Sequence, residues 1–121
     1  MQGERLERVA QLLKQSLGQI IITRLRDSRL GLVTVTRVTV SPDLTNATVF
    51  YSVIGEEKIR KSTQAALNSS RGFLQKEMSR DVKLRITPKL TFQFDTSLEH
   101  SLQIEQILKK IQDEDTPSES E

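Results

Sequence analysis

Residues 66–78 read ALNSSRGFLQKEM. Apolar residues recur at helical spacing on both sides: Ala66 and Leu67 before, Phe73, Leu74 and Met78 after, with Ser69, Ser70, Arg71 and Gly72 between them. Gly in a helix interior costs about 1 kcal/mol relative to Ala. The stretch is therefore either one helix that tolerates the defect or a joint between two helices, and the flanking elements decide which.

Upstream, IGEEKIRKSTQAALNSS (residues 54–70) predicts a helix that opens after Gly55. Glu56 and Glu57 lie in its first turn, where the helix dipole favours acids, and Ile59, Ala66 and Leu67 form a thin apolar stripe. Before it stand two β-rich runs. LVTVTRVTV (32–40) places Val33 and Val35 on one face but Val38 and Val40 on the other, so a bulge near Thr36 and Arg37 is expected to restore the register. SPDLTN (41–46) is a turn by composition. ATVFYSV (47–53) sets Ala47, Val49, Tyr51 and Val53 on one face. Two strands joined so briefly should pair antiparallel.

Downstream of the joint, VKLRITPKLTFQF (82–94) reads as one long third strand. Leu84, Ile86, Leu90, Phe92 and Phe94 share its even face with Pro88, which implies an edge position or a bulge. Lys83, Arg85 and Lys89 share its odd face. At the ends, Leu6, Val9, Leu13, Leu17, Ile20, Ile21 and Leu25 predict an amphipathic helix over residues 3–26. TSLEHSLQIEQILKKI (96–111) predicts a last helix, opened by Thr96 and Glu99 as a capping box, with Leu98, Leu102, Ile104, Ile107, Leu108 and Ile111 on its buried face. The order is α-β-β-α-α-β-α.

The chain has 121 residues, 36% hydrophobic and 28% charged, which suits one domain with one modest core. It holds no Trp and no Cys, so disulfides, zinc ribbons and thiol chemistry are excluded. No signal-type apolar segment opens the sequence, and Ile20-Ile21-Ile22 is far too short to span a membrane; a cytoplasmic protein is expected. The net charge of +2 hides an asymmetry. The final residues, DEDTPSESE (113–121), hold five acids and no base; without them 18 basic residues face 11 acidic ones, a net +7. The expected organisation is a basic domain over residues 1–112 and an acidic, disordered tail over 113–121.

An enzyme finds little support. His100 is the only histidine, and no second His or Cys could join it in a metal or catalytic set. Asp43 reads as a turn former and Asp95 as a local hydrogen-bonding residue before a helix. No Walker loop, GxGxxG or HExxH appears. Catalytic residues, metal and cofactor are all expected to be none. The basic residues say more. Arg71, Lys76, Arg80, Lys83, Arg85 and Lys89 face only Glu77 and Asp81 within residues 71–89, a local net of +4. Such a track suits phosphate contacts, although a solvated strand face would have the same composition. With one Tyr and four Phe, base stacking of the RRM kind is not expected.

The helix–strand order with a joint at residues 69–72 is that of a type II KH domain, in which a GxxG loop clamps nucleic-acid backbone; here the first glycine is Ser69. RLERVAQLLKQSLGQII (5–21), VTVTRVTVSPDLTNATVFYSV (33–53), SSRGFL (69–74) and above all LRITPKLTFQFDTSLEHSLQIEQIL (84–108) resemble the bacterial ribosome-binding factor A family. The resemblance implies a single KH-like α+β domain whose three-stranded sheet is packed by helices. It also implies that Ser70, Arg71 and Gly72 form a helix kink in place of the GxxG loop, with Ser70 where the family has alanine. As to function, it implies a non-enzymatic assembly factor; a monomer is expected separately, since the sequence shows no apolar patch that demands a partner. Such a factor would bind the free small ribosomal subunit, assist late maturation and processing of 16S rRNA, and support growth in the cold. It implies no small-molecule substrate and no membrane. Arg71, Lys76, Arg80, Lys83, Arg85 and Lys89 are the expected RNA contacts. The rival reading is a general single-stranded nucleic-acid-binding KH-like module.

Overall fold

A computed structural model describes residues 2–97. The predicted C-terminal helix, His100, the domain boundary at residue 112 and the acidic tail lie outside these residues. The first helix, α1, runs Gln2–Thr23, shorter than the predicted 3–26. Its last turn closes tightly: the Arg24 and Leu25 amides both donate to Ile20 O (2.8 and 3.0 Å), and the Thr23 hydroxyl donates to Gln19 O. Leu25 still packs against the core, but from the connection.

Strands β1 (Leu32–Val40) and β2 (Asn46–Ile54) pair antiparallel, from Leu32 opposite Ile54 to Val40 opposite Ala47. The register shifts between Val35 and Arg37. The expected bulge is therefore there, with Thr36 as the extra residue, and it lets Val33, Val35 and Val38 all face the core. In the turn between the strands, Asp43 Oδ1 accepts from the Ser41 hydroxyl (2.7 Å), the Thr45 hydroxyl (2.7 Å) and the Thr45 amide (3.1 Å). Gly55 follows at φ +138, and a Cβ there would meet the Ile59 side chain, so only glycine fits.

Helices α2 (Glu57–Ser69) and α3 (Arg71–Asp81) then lead to β3 (Lys89–Phe94), which pairs parallel to β2 from Asn46–Lys89 to Tyr51–Phe94. The sheet order is β1-β2-β3, and the helices pack on one face of it. Leu13, Leu17, Ile20, Val49, Tyr51, Leu67, Leu74, Met78 and Leu90 form the fully enclosed centre of the core. A polar bridge crosses it. The Tyr51 hydroxyl donates to Gln64 Oε1, and Gln64 Nε2 donates to Phe92 O (2.9 Å), so one amide holds α2 to both β2 and β3.

Two sequence expectations are corrected. The third strand starts at Lys89, not at Val82. Lys89 stands opposite Asn46, where β2 begins, so residues 82–88 have no strand to pair with. Pro88 adds a missing donor and is itself fully buried. The segment instead rounds the end of α3, tied by the Thr87 hydroxyl to Ser79 Oγ (2.9 Å). Ile86, assigned to the buried face by alternation, is 54% exposed. The second correction concerns the apolar stripes of the helices: Ile59 and Phe73 are largely outside the core.

Two carboxylates organise connecting segments: Asp95 by reaching Thr36 on β1, and Asp27 within its own connection. Hydrogen bonds from Ser97 and Thr36 lower the Asp95 pKa from 3.8 to about 2. Asp27, held by Arg29 through its side chain (2.7 and 3.0 Å) and its amide (2.9 Å), is likewise lowered to about 2. A carboxylate whose folded pKa is depressed contributes stability fully above its unfolded value of 3.8 and loses it as pH falls through about 2. The thermal midpoint is therefore expected to fall progressively between about pH 4 and pH 2, and less steeply in Asp95→Asn than in the wild type. Identical slopes in calorimetric scans over that range would count against the assignment.

Candidate nucleic-acid interface

The joint is a single residue. Ser70 has φ −95 and ψ 7 and serves as the C-cap of α2 and the N-cap of α3. Its amide donates to Ala66 O (3.0 Å) and Leu67 O (3.2 Å), and its carbonyl accepts from the Leu74 amide (2.9 Å). The hydrogen-bond ladder thus continues across the bend, and no open loop separates the helices. Gly72 already belongs to α3. Its φ lies outside the left-handed region, and a Cβ placed on it meets nothing within 4 Å. The bend is centred on Ser70, one of the three residues expected to form the kink, and Arg71 and Gly72 open α3.

Leu74 and Met78 fix the buried face of α3. On a 3.6-residue helix the opposite face carries Gly72, Lys76 and Arg80 at four-residue steps, and Lys76 and Arg80 are exposed. Lys83 and Arg85 are exposed on the segment that leaves the end of this helix. Lys76 and Arg80 share a helix face, and Lys83 and Arg85 follow within five residues of its end. Lys89 is elsewhere. Its neighbour Leu90 points into the core, so Lys89 projects from the open face of the sheet, away from α3. Arg71 is half-buried, with its Nε enclosed and without a hydrogen-bond partner among the described residues. The single strand face that carried Lys83, Arg85 and Lys89 in the sequence reading does not form.

The two acids of this region are turned aside. Asp81 pairs with Arg24 at 3.1 Å, and Glu77 lies 3.7 Å from Arg24 and 3.4 Å from Arg80. They sit on the flank of α3 that meets α1, where Arg24 draws them away from the outer face. Lys76, Lys83 and Arg85 have no ion pair among the described residues. Lys76, Lys83 and Arg85 are thus exposed cations that no described carboxylate neutralises. Arg24 pairs across to α3 with residues far from it in the chain, which a local charge pattern does not report. Arg37 is likewise not among the expected contacts; its guanidinium lies 4.1 Å above the Phe50 ring on the open face of the sheet.

The ribosome-binding factor A family model matches residues 5–108. The chain is 40% identical to ribosome-binding factor A of Geobacter metallireducens over 93% of its own length and 95% of that protein's. Among solved structures it is similar to the crystal structure of ribosome-binding factor A from Thermus thermophilus, with a TM-score of 0.65, 30% identity, and coverage of 73% of this chain and 93% of that one. A Thermus thermophilus homology model fitted into the cryo-electron microscopy map of a 30S–ribosome-binding factor A complex is similar at a TM-score of 0.60 and 30% identity, covering 70% of this chain and 89% of that one. The element order, the one-residue helix joint and these matches place the chain in one group: it belongs to the ribosome-binding factor A family.

Proposed function

We propose that this protein binds the free small ribosomal subunit in the cytoplasm and assists late maturation and processing of 16S rRNA. The observation that carries the partner is the fit of the similar Thermus thermophilus model into the map of a 30S complex. The action is binding rather than catalysis. A rigid basic surface that holds one rRNA conformation better than its alternatives shifts the population toward it, by as much as the two affinities differ. Phosphate contacts of this kind are salt-sensitive, which suits a factor that must leave a finished subunit. The contacts are assigned to Lys76, Arg80, Lys83 and Arg85, with Arg71 at the joint and Lys89 at the margin. The one-residue joint supports this over the general KH reading, which relies on a clamping loop.

In a sucrose gradient, tagged protein should co-migrate with free small subunits and be absent from polysomes. An even spread over polysomes, or equal binding to short single-stranded oligonucleotides, would overturn the reading.

Gly72 offers a finer test. It sits in line with Lys76 and Arg80, and the fold gives no steric reason for it. A bare backbone there lets a phosphate chain come close. Gly72→Ala should stabilise the protein by about 0.5–1 kcal/mol while weakening subunit binding. Stabilisation with unchanged binding would remove Gly72 from the contact surface.

A further inference from the structure

The chain has five aromatic rings, and four of them are occupied. Tyr51 and Phe92 lie in the core. Phe94 meets Tyr51 edge-on, with ring centroids 5.8 Å apart, and carries the Arg60 guanidinium at 4.3 Å. Phe50 lies under the guanidinium of Arg37. Phe73 differs. It is an exposed ring, and among the described residues neither a second ring nor a guanidinium stacks on it. The other large apolar side chains in the open, Ile22, Leu32 and Ile54 among them, are aliphatic. A single exposed apolar side chain is ordinary; what sets this one apart is its surroundings.

Phe73 is the third residue of α3. Residues three and four apart are neighbours on a helix surface, so Phe73 adjoins Lys76 on one side and Glu77 on the other, with Arg80 one turn further along. Lys76 is exposed and has no ion pair among the described residues. Glu77 is held by Arg24 at 3.7 Å and Arg80 at 3.4 Å. The ring is thus edged by a free cation and a neutralised acid. Just before it stands Gly72, with no side chain to screen the approach. An apolar protein pocket would match the ring but would take the Lys76 charge out of water. Unpaired RNA matches both, with an aromatic base for the ring and phosphates for the cations.

We propose that Phe73 is a stacking platform for one unpaired base of the RNA, with Lys76 and Arg80 on the phosphates beside it. This rests on the rRNA-binding reading above and adds to it a contact with a base. Five aromatic residues are too few for a stacking sheet, but one exposed ring on a helix serves one base. Stacking tolerates any base, because every base has a π-face. The platform therefore selects a nucleotide that is out of its duplex rather than a sequence, and so favours RNA whose pairing is incomplete.

The test is co-sedimentation of the full chain with purified small subunits at several salt concentrations, for the wild type, Phe73→Tyr, Phe73→Leu and Phe73→Ala. The ring lies outside the core, so all three variants should fold, and their urea midpoints check it. Stacking needs a π-face. Phe73→Tyr should therefore bind as the wild type does, while Phe73→Leu and Phe73→Ala both bind about tenfold more weakly. The slope of log K against log salt should be the same throughout, since the ring carries no charge. Wild-type affinity in Phe73→Leu, with a loss only in Phe73→Ala, overturns the proposal in favour of an apolar protein contact. A flatter slope in Phe73→Leu overturns it too, because the ring would then act only by positioning the cations. A loss in Phe73→Tyr as large as in Phe73→Ala also counts against stacking. Equal affinity in all four leaves subunit binding standing and removes the platform alone, whereas wild-type protein that does not bind overturns both.

Discussion

Lys83→Glu combined with Arg85→Glu is expected to weaken binding to the small subunit by about tenfold or more at physiological salt and to flatten the salt dependence, because each phosphate contact contributes about one unit to the slope of log K against log salt. The fold should be unaffected, since both residues are exposed and neither has an ion pair among the described residues. Arg80→Glu should weaken binding less than either reversal counted singly, because Arg80 already shares the Glu77 carboxylate. Lys89→Glu gives the sharpest geometric contrast. It projects from the other side of the sheet, and a small effect there beside a large effect at Lys83 and Arg85 would confine the RNA to the α3 side. Co-sedimentation at several salt concentrations measures all of these. An unchanged affinity and slope in the double variant would remove this surface from the interface.

The second large effect lies in stability. Leu74 and Phe73 are adjacent in sequence and equally apolar, yet Leu74 is wholly enclosed and Phe73 is 42% exposed. Leu74→Ala removes a core side chain between α3 and the rest of the core and should cost about 2–5 kcal/mol, transfer and cavity together. Phe73→Ala should cost under about 1 kcal/mol, since much of its ring is already in water. Urea unfolding at constant m-value reads both. Equal losses would mean that Phe73 is packed by something beyond the described residues.

The contrast between these neighbours marks how far the sequence could be read. Phe73 sits about 100° from Leu74 around the helix, and a stripe of two or three apolar residues does not fix which edge of it is buried. The contacts made by α1 and β3 decide that. The same holds for the candidate site. Lys83, Arg85 and Lys89 alternate correctly for one strand face, and no feature of residues 82–94 alone reports where the pairing partner ends.

Sequence by itself determined what local chemistry controls. The alternation of ATVFYSV set the buried face of β2, and the mismatch between Val35 and Val38 located the bulge, because a period of two leaves no other way to bury both. The helix–hairpin–helix–helix order, the joint within SSRG and the concentration of cations in residues 71–89 were likewise legible. Tertiary structure alone decided the rest. It shortened β3 to Lys89–Phe94, because strand length depends on a distant partner that begins at Asn46. It divided the six cations between two sides of the sheet. It brought Arg24 to Glu77 and Asp81, which clears the outer face of α3 of negative charge. Finally, it centred the bend on Ser70 and placed Gly72 within α3, where a Cβ would meet nothing within 4 Å. Hydrogen-bond and ion-pair partners far apart in the chain are fixed only when the core closes, and for that reason no local pattern could have announced them.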